Sequence, residues 1–210
     1  GSEGFGIAAD RSGNVYVTGS FRGSISFGAT TLTANGTGNF FIAKYDSSGT
    51  PLWAQKAICG AAQSGKSICV DKDGGVYATG TFEDSTISFG NFSISAVSPI
   101  LGTDVFLVKY DASGNVLWAT GGGGGSTDIS NAVNADNKGN SYITGVYRNS
   151  ITFGTTTLTA ANSGGASVFT VKYNSVGSLV WAKSSGGFPC SGYGTDISND
   201  AFGNSYVAGY

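Results

Sequence analysis

The sequence predicts an all-β fold, and within that class a propeller-type array of four-stranded antiparallel blades. Three observations predict it. First, one phrase is written four times: GNVYVTGSF at Gly13–Phe21, GGVYATGTF at Gly74–Phe82, GNSYITGVY at Gly139–Tyr147 and GNSYVAGY at Gly203–Tyr210. Its tyrosines, Tyr16, Tyr77, Tyr142 and Tyr206, recur at steps of 61, 65 and 64 residues, and a fixed period of that length means one structural unit repeated in space. Second, each period carries two hairpin signals, which together make one four-stranded sheet. Third, glycine supplies 35 of 210 residues, more than double the average of about 7%. It falls in turns between alternating apolar segments, as in an all-β repeat.

The elements follow in order. Strand a is GIAAD (Gly6–Asp10); it turns through Ser12-Gly13 and returns as strand b through Val15-Tyr16-Val17. Asp, Ser, Asn and Gly gather at the turn because they tolerate left-handed or locally hydrogen-bonded backbone. Strands c and d form the second hairpin, FFIAKYD–SSG–TPLWAQKA (Phe40–Ala57), repeated at Val105–Gly122 and Val168–Ser185 with Trp53, Trp118 and Trp181 in phase. Between the hairpins lies an insertion of two alternating stretches around Phe27-Gly28, Phe89-Gly90 and Phe153-Gly154, which reads as a small extra hairpin. It lengthens the period beyond the roughly 40–45 residues of common propeller units. A parallel β-solenoid is the competing architecture, but its coils are shorter. The expected organisation is one repeat domain with blades at about 1–58, 59–122 and 123–186 and a partial blade at 187–210, without a helix longer than a turn or two.

Composition excludes several classes of function. The 11 basic and 13 acidic residues give a formal charge of −2, without the basic footprint of a nucleic-acid binder or a polybasic patch for a lipid surface. No apolar run approaches the roughly 18 residues of a membrane-crossing helix. There is no histidine, which removes Ser-His-Asp and Cys-His catalysis and His-ligated metals. The chain starts and stops inside a repeat, since GSEGFGIAAD at Gly1–Asp10 matches GSTDISNAVNAD at Gly125–Asp136. It therefore reads as a piece of a longer protein, its open ends meeting further blades or another chain.

Residues that repeat in phase read as scaffold. Asp10, Asp71, Asp136 and Asp200 close strand a, and Asp46 and Asp111 precede the c–d turn; they are expected to accept local backbone amides. DKDGG (Asp71–Gly75) and DNKGN (Asp136–Asn140) faintly suggest calcium loops but lack the glutamate and spacing of one, so no cofactor is implied. Lys44, Lys109 and Lys172 are expected to pair with the strand-a aspartates, and the tryptophans to pack between blades. Function should show where the units differ, in the d–a loops and b–c insertions, both expected on one face. Arg22, Glu83, Asp84, Asp104, Asp128, Arg148, Tyr193 and Asp196 are the candidate ligand or partner face. The run Gly121–Gly125 has no following lysine and is not a phosphate loop. Cys59 and Cys69 could bridge across one d–a loop, leaving Cys190 unpaired, and such a bridge would suit an oxidising compartment.

The order GIAxD, GNVYVTGxF, FGxxTLT, FxxKYDxxGxxLWA resembles the bacterial SBBP repeat, named for a seven-bladed β-propeller, over essentially the whole chain; the first hairpin is also similar to NHL-type blades. The resemblance implies strand a innermost and strand d outermost. It also implies a ring of more blades than this chain supplies. The expected function is a secreted or cell-surface bacterial module, non-enzymatic, serving adhesion or binding a carbohydrate or protein partner. The alternatives are a carboxylate-based polysaccharide lyase or hydrolase using Glu83, Asp84, Asp104, Asp128 or Asp196, and a structural spacer in a surface filament or adhesin.

Overall fold

A computed structural model describes residues 1–98, 102–160, 165–186 and 191–210. Among them every regular element is a strand: β1 (Ser2–Ala9), β2 (Val15–Phe21), β3 (Ser24–Phe27), β4 (Thr30–Thr33), β5 (Asn39–Tyr45), β6 (Pro51–Lys56), β7 (Gln63–Val70), β8 (Val76–Phe82), β9 (Thr86–Phe89), β10 (Phe92–Ser95), β11 (Asp104–Tyr110), β12 (Val116–Gly123), β13 (Ile129–Ala135), β14 (Ser141–Arg148), β15 (Ser150–Phe153), β16 (Thr156–Thr159), β17 (Ala166–Tyr173), β18 (Leu179–Ser185), β19 (Gly194–Asn199) and β20 (Ser205–Gly209). Three antiparallel blades have the orders β1-β2-β5-β6, β7-β8-β11-β12 and β13-β14-β17-β18, and β19-β20 repeats the first half. This is the expected propeller-like array.

Local chemistry explains the turns. Asp10 Oδ1 accepts the amides of Ser12 and Asn14, each at 2.9 Å. Asp71, Asp136 and Asp200 do the same in their own turns, as do Asp46 and Asp111 before the c–d turns. These carboxylates favour their ionised form through such bonds, and Asp10, Asp46, Asp111, Asp136 and Asp200 all titrate below the usual aspartate range.

The inserted hairpins β3-β4, β9-β10 and β15-β16 form as the alternation predicts, pivoting on Gly28, Gly90 and Gly154 at φ of 59°, 55° and 56°. Their role lies between blades. β15 pairs with β12 of the preceding blade, Thr152 opposite Gly123 and Phe153 opposite Gly122, and Ser88 of β9 bridges Ile58, just past β6. The second and third insertions thus clasp the outer strand of the blade before them.

The core lies between blades too. One cluster joins Tyr16, Phe40 and Ile42 of the first blade to Val76, Phe106 and Val108 of the second. Another joins Tyr77, Val105 and Leu107 of the second blade to Ile143, Phe169 and Val171 of the third. The tryptophans complete these seams. Trp53 Nε1 donates to the Ala112 carbonyl at 3.2 Å and Trp118 Nε1 to the Ser175 carbonyl at 3.1 Å, each in the c–d turn of the following blade. The rings lie so close to Gly114 and Gly177 that a Cβ there would stand 3.0 and 2.8 Å from them.

Two expectations are corrected here. Cys59 and Cys69 are both free thiols. Cys59 belongs to the core between the first and second blades, whereas Cys69 packs against the core between the second and third. The sheet of the second blade therefore stands between them, and a bridge needs its two Cα atoms within about 7 Å. Burial pushes both thiols' pKa up. Cys190 lies outside the described residues. The lysines, too, have a different partner. Lys44, Lys109 and Lys172 sit over the rings of Tyr16, Tyr77 and Tyr142 at 5.1, 4.7 and 4.9 Å. Only Lys109 reaches its aspartate, at 3.7 Å from Asp71, while Lys44 donates to the Ala112 carbonyl at 3.0 Å. It is the tyrosine hydroxyl that bonds the aspartate: Tyr16 to Asp10, Tyr77 to Asp71, Tyr142 to Asp136 and Tyr206 to Asp200, at 3.0–3.2 Å.

Candidate functional site

Strand a of every unit carries a β-bulge at the same place. The register slips between Gly4 and Gly6, Gly65 and Ser67, Ser130 and Ala132, and Gly194 and Asp196. The extra residue in each case is Phe5, Lys66, Asn131 or Thr195. A bulge re-aims the side chain it adds, and these four line a single cavity of ≈ 430 Å³. The residue before each bulge is Gly4, Gly65, Ser130 or Gly194; at Gly65 and Gly194 the preceding blade presses on it, and a Cβ there would stand 2.2 Å from the Thr18 hydroxyl and 2.6 Å from the Thr144 hydroxyl. Where serine is admitted, its hydroxyl accepts a bond from Thr79 at 2.7 Å. The four units therefore share a backbone device and differ in the side chain it presents.

The eight candidate face residues separate into groups. Arg22 and Glu83, both exposed, meet in a cleft of ≈ 290 Å³ between the first and second blades, with Glu3, Gln63, Ser64 and Lys66. Gln63 is only 3% exposed, yet neither its amide nitrogen nor its amide oxygen has a hydrogen-bond partner, and the Ser64 hydroxyl beside it is also buried without one. Asp84 is occupied elsewhere, accepting from the Gly60 amide at 2.7 Å and the Ser85 amide at 2.6 Å. It ties the d–a loop to the insertion, and these bonds lower its pKa. Asp196 caps the Ile197 amide at 2.8 Å.

The others gather at later seams, and two are not on the surface at all. Asp104 and Asp128 are 4% and 0% exposed, contrary to their expected place on a solvated loop face. They stand side by side because residues 103 and 127 form a parallel bridge and the Asp128 amide donates to the Thr103 carbonyl at 2.8 Å. Asp104 accepts from the Val97 amide at 2.7 Å. Asp128 Oδ1 accepts from the Arg148 amide at 3.3 Å, while Oδ2 is buried without a partner. Burial, aided by the nearby Asp104 charge, pushes the Asp128 pKa up to about 8, and burial raises that of Asp104 as well. The glycine run now has its reason: a Cβ on Gly123 would fall 2.0 Å from the Asp104 carboxyl carbon, and one on Gly124 would fall 2.0 Å from the Ser150 carbonyl oxygen. Arg148 Nη2 donates to the Tyr193 hydroxyl at 3.5 Å, and Tyr193 stacks on Tyr210 at 5.3 Å.

Residues 2–20 match the family model described as a beta-propeller repeat, SBBP. The match falls on the strand a–strand b hairpin of the first unit. It is also similar to an uncharacterized WD repeat-containing protein of Acanthamoeba polyphaga mimivirus, 30% identical over 175 residues. That alignment takes in 70% of this chain and 13% of the viral protein.

In this chain the in-phase aspartates, tyrosines and tryptophans are spent on the frame, which bears on the chemistry available. Among the described residues no group of three or more Asp, Glu, Cys or His could hold a metal ion. The buried pair Asp104–Asp128 does not present its oxygens to a substrate, whereas a general acid or base must come within hydrogen-bond reach of one. The cleft offers donors and acceptors from Arg22, Lys66, Gln63, Ser64, Glu3 and Glu83. Sequence reasoning reached Arg22 and Glu83 but missed Gln63 and the bulge set. A signal was present: Phe5, Lys66, Asn131 and Thr195 recur at the tyrosine steps of 61, 65 and 64, in phase but unlike in chemistry.

Proposed function

We propose that this chain is a rigid, non-enzymatic binding module of propeller architecture, secreted or displayed on a bacterial cell surface, that holds a carbohydrate or protein partner where its units differ. One observation carries the reading. The Asp–Tyr–Lys frame and the tryptophan seams are chemically constant from blade to blade, while the bulge residues and the first seam's cleft are not. Variable side chains on a scaffold rigid enough to aim them are where binding sites lie. Support for the compartment is compositional: 11% charged residues and segments rich in Ser, Thr and Gly. The full chain should be screened on a glycan array and against surface proteins, with parallel assays for glycan cleavage. Binding without turnover is expected. Turnover would overturn the proposal in favour of an enzyme, and a chain that neither binds nor cleaves would be a structural spacer.

A further inference from the structure

The cleft between the first and second blades is built around an unsatisfied amide. A buried polar group without a partner costs about 1–3 kcal/mol, and native proteins seldom retain one without a reason. Gln63 leaves both ends of its amide unsatisfied in the wall of a ≈ 290 Å³ cleft, with the Ser64 hydroxyl in the same condition. The backbone fixes it there: the Gln63 main-chain N–H donates to the Gly38 carbonyl at 2.9 Å, and Gln63 pairs with Phe82 in β8.

The rest of the lining narrows what would satisfy it. Two carboxylates, Glu3 and Glu83, face two cations, Arg22 and Lys66, so the walls carry no net charge to select an ion. Glutamine, arginine and glutamate are planar groups that can each engage two neighbouring hydroxyls. Phe5, 45% exposed, lies at the edge of the same cleft with Lys66 Nζ 4.4 Å from its ring centroid, an aromatic surface for the apolar C–H face of a ring. The volume is near the lower end of the roughly 300–1,000 Å³ of small-molecule sites.

From these features we infer that the cleft binds one neutral sugar ring of a saccharide. Gln63 and Ser64 bond its hydroxyls at the floor, Arg22 and Glu83 bond them at the rim, and Phe5 covers one face. The inference rests on the binding-module reading and names its site and ligand class. The test uses the full chain and a panel of free hexoses and N-acetylhexosamines, read by saturation-transfer difference NMR. At least one sugar should give a saturable signal that falls at least tenfold in both Gln63→Leu and Arg22→Ala. The signal should be unchanged in Lys72→Ala, an exposed residue paired with Asp73 in an a–b turn away from the cleft. Gln63→Leu should melt no lower than the parent, since it removes an unpartnered amide, so loss of the signal would not reflect unfolding. A sugar signal that survives both cleft substitutions would overturn the site but leave the module reading standing. So would a panel without any binder, combined with a partner found in the surface-protein screen. Failure of every binding screen would overturn both.

Discussion

The two complete seams between blades place different chemistry at the same points. Asn39 and Gln63 at the first occupy the positions that Asp104 and Asp128 hold at the second: Asn39 pairs with Phe21 as Asp104 pairs with Phe82, and the Gln63 amide bonds the Gly38 carbonyl as the Asp128 amide bonds that of Thr103. Asn39 is fully satisfied, accepting from the Asn35 and Gly36 amides and donating to the Ala57 carbonyl at 3.2 Å. At the second seam two carboxylates share a buried space. The clasp differs as well. Where Ile58, 60% exposed, meets Ser88 at the first seam, Gly123 meets Thr152 at the second. One seam is neutral with an open cleft; the other is acidic and closed. The comparison teaches that a repeat can hold its backbone register while its polar interior is exchanged.

The largest effect that would break this equivalence is at the clasp. Gly123→Ala puts a Cβ against the Asp104 carboxylate and is expected to cost about 3 kcal/mol in urea denaturation, at the upper end of overpacking. Ile58→Ala, at the matching place, should cost less than about 1 kcal/mol for an exposed side chain. Equal costs would mean that the two clasps are packed alike and that the difference between the seams does not reach them. Next come the tryptophans. Trp118→Ala removes a ring 9% exposed together with its bond to the Ser175 carbonyl. A loss of about 3 kcal/mol is expected from buried-aromatic precedent. Trp181, which has Tyr142 beside it at 6.2 Å, should cost about half as much.

A pH-dependent effect sharpens the charge difference. The folded pKa of Asp128, about 8, lies above its ordinary value of 3.8. The folded state therefore holds a proton that the unfolded chain releases between those values, and stability falls as pH rises from about 4 to 8. A single proton bounds the slope at about 1.4 kcal/mol per pH unit. Asp128→Asn should flatten it, and the neutral seam shows that an amide is tolerated there. Thermal melts of parent and variant between pH 4 and 8 would show this, and parallel curves would end the argument. The turn aspartates act with the opposite sign. Their lowered pKa values supply stability at neutral pH that is lost as pH falls below about 4.

What the sequence made legible follows from this division. Fold, turns and inserted hairpins could be read because Asp10, Tyr16, Gly28 and Trp53 meet the same requirement in each unit, and repetition amplifies the signal. Arg22 and Glu83 were found because they are charged residues in variable loops. Gln63, Asp104 and Asp128 could not be placed, because their burial comes from the neighbouring blade, which local pattern does not report. Cys59 and Cys69 misled for a related reason: ten residues apart in the chain, they serve opposite sides of one sheet. The lysines misled because a tyrosine ring takes each ammonium on its face, which charge spacing along the chain does not report.

The inserted hairpins have a consequence for how such an array is made. Ser88 reaches back to Ile58, and Thr152 to Gly123, each joining points only about half a repeat apart. Closing such a loop costs little entropy, since the cost grows only with the logarithm of length. Stability in stacked repeats is roughly a sum of neighbour terms. A nascent chain emerging from a ribosome can therefore lock each outer strand as soon as the next insertion appears, without waiting for a ring to close. Chains halted just after Phe89 and just after Phe153 would show this as stepwise gains in protease resistance over one halted after Phe27, one latch at a time. A single gain confined to the longest chain would instead mean that the array folds all at once.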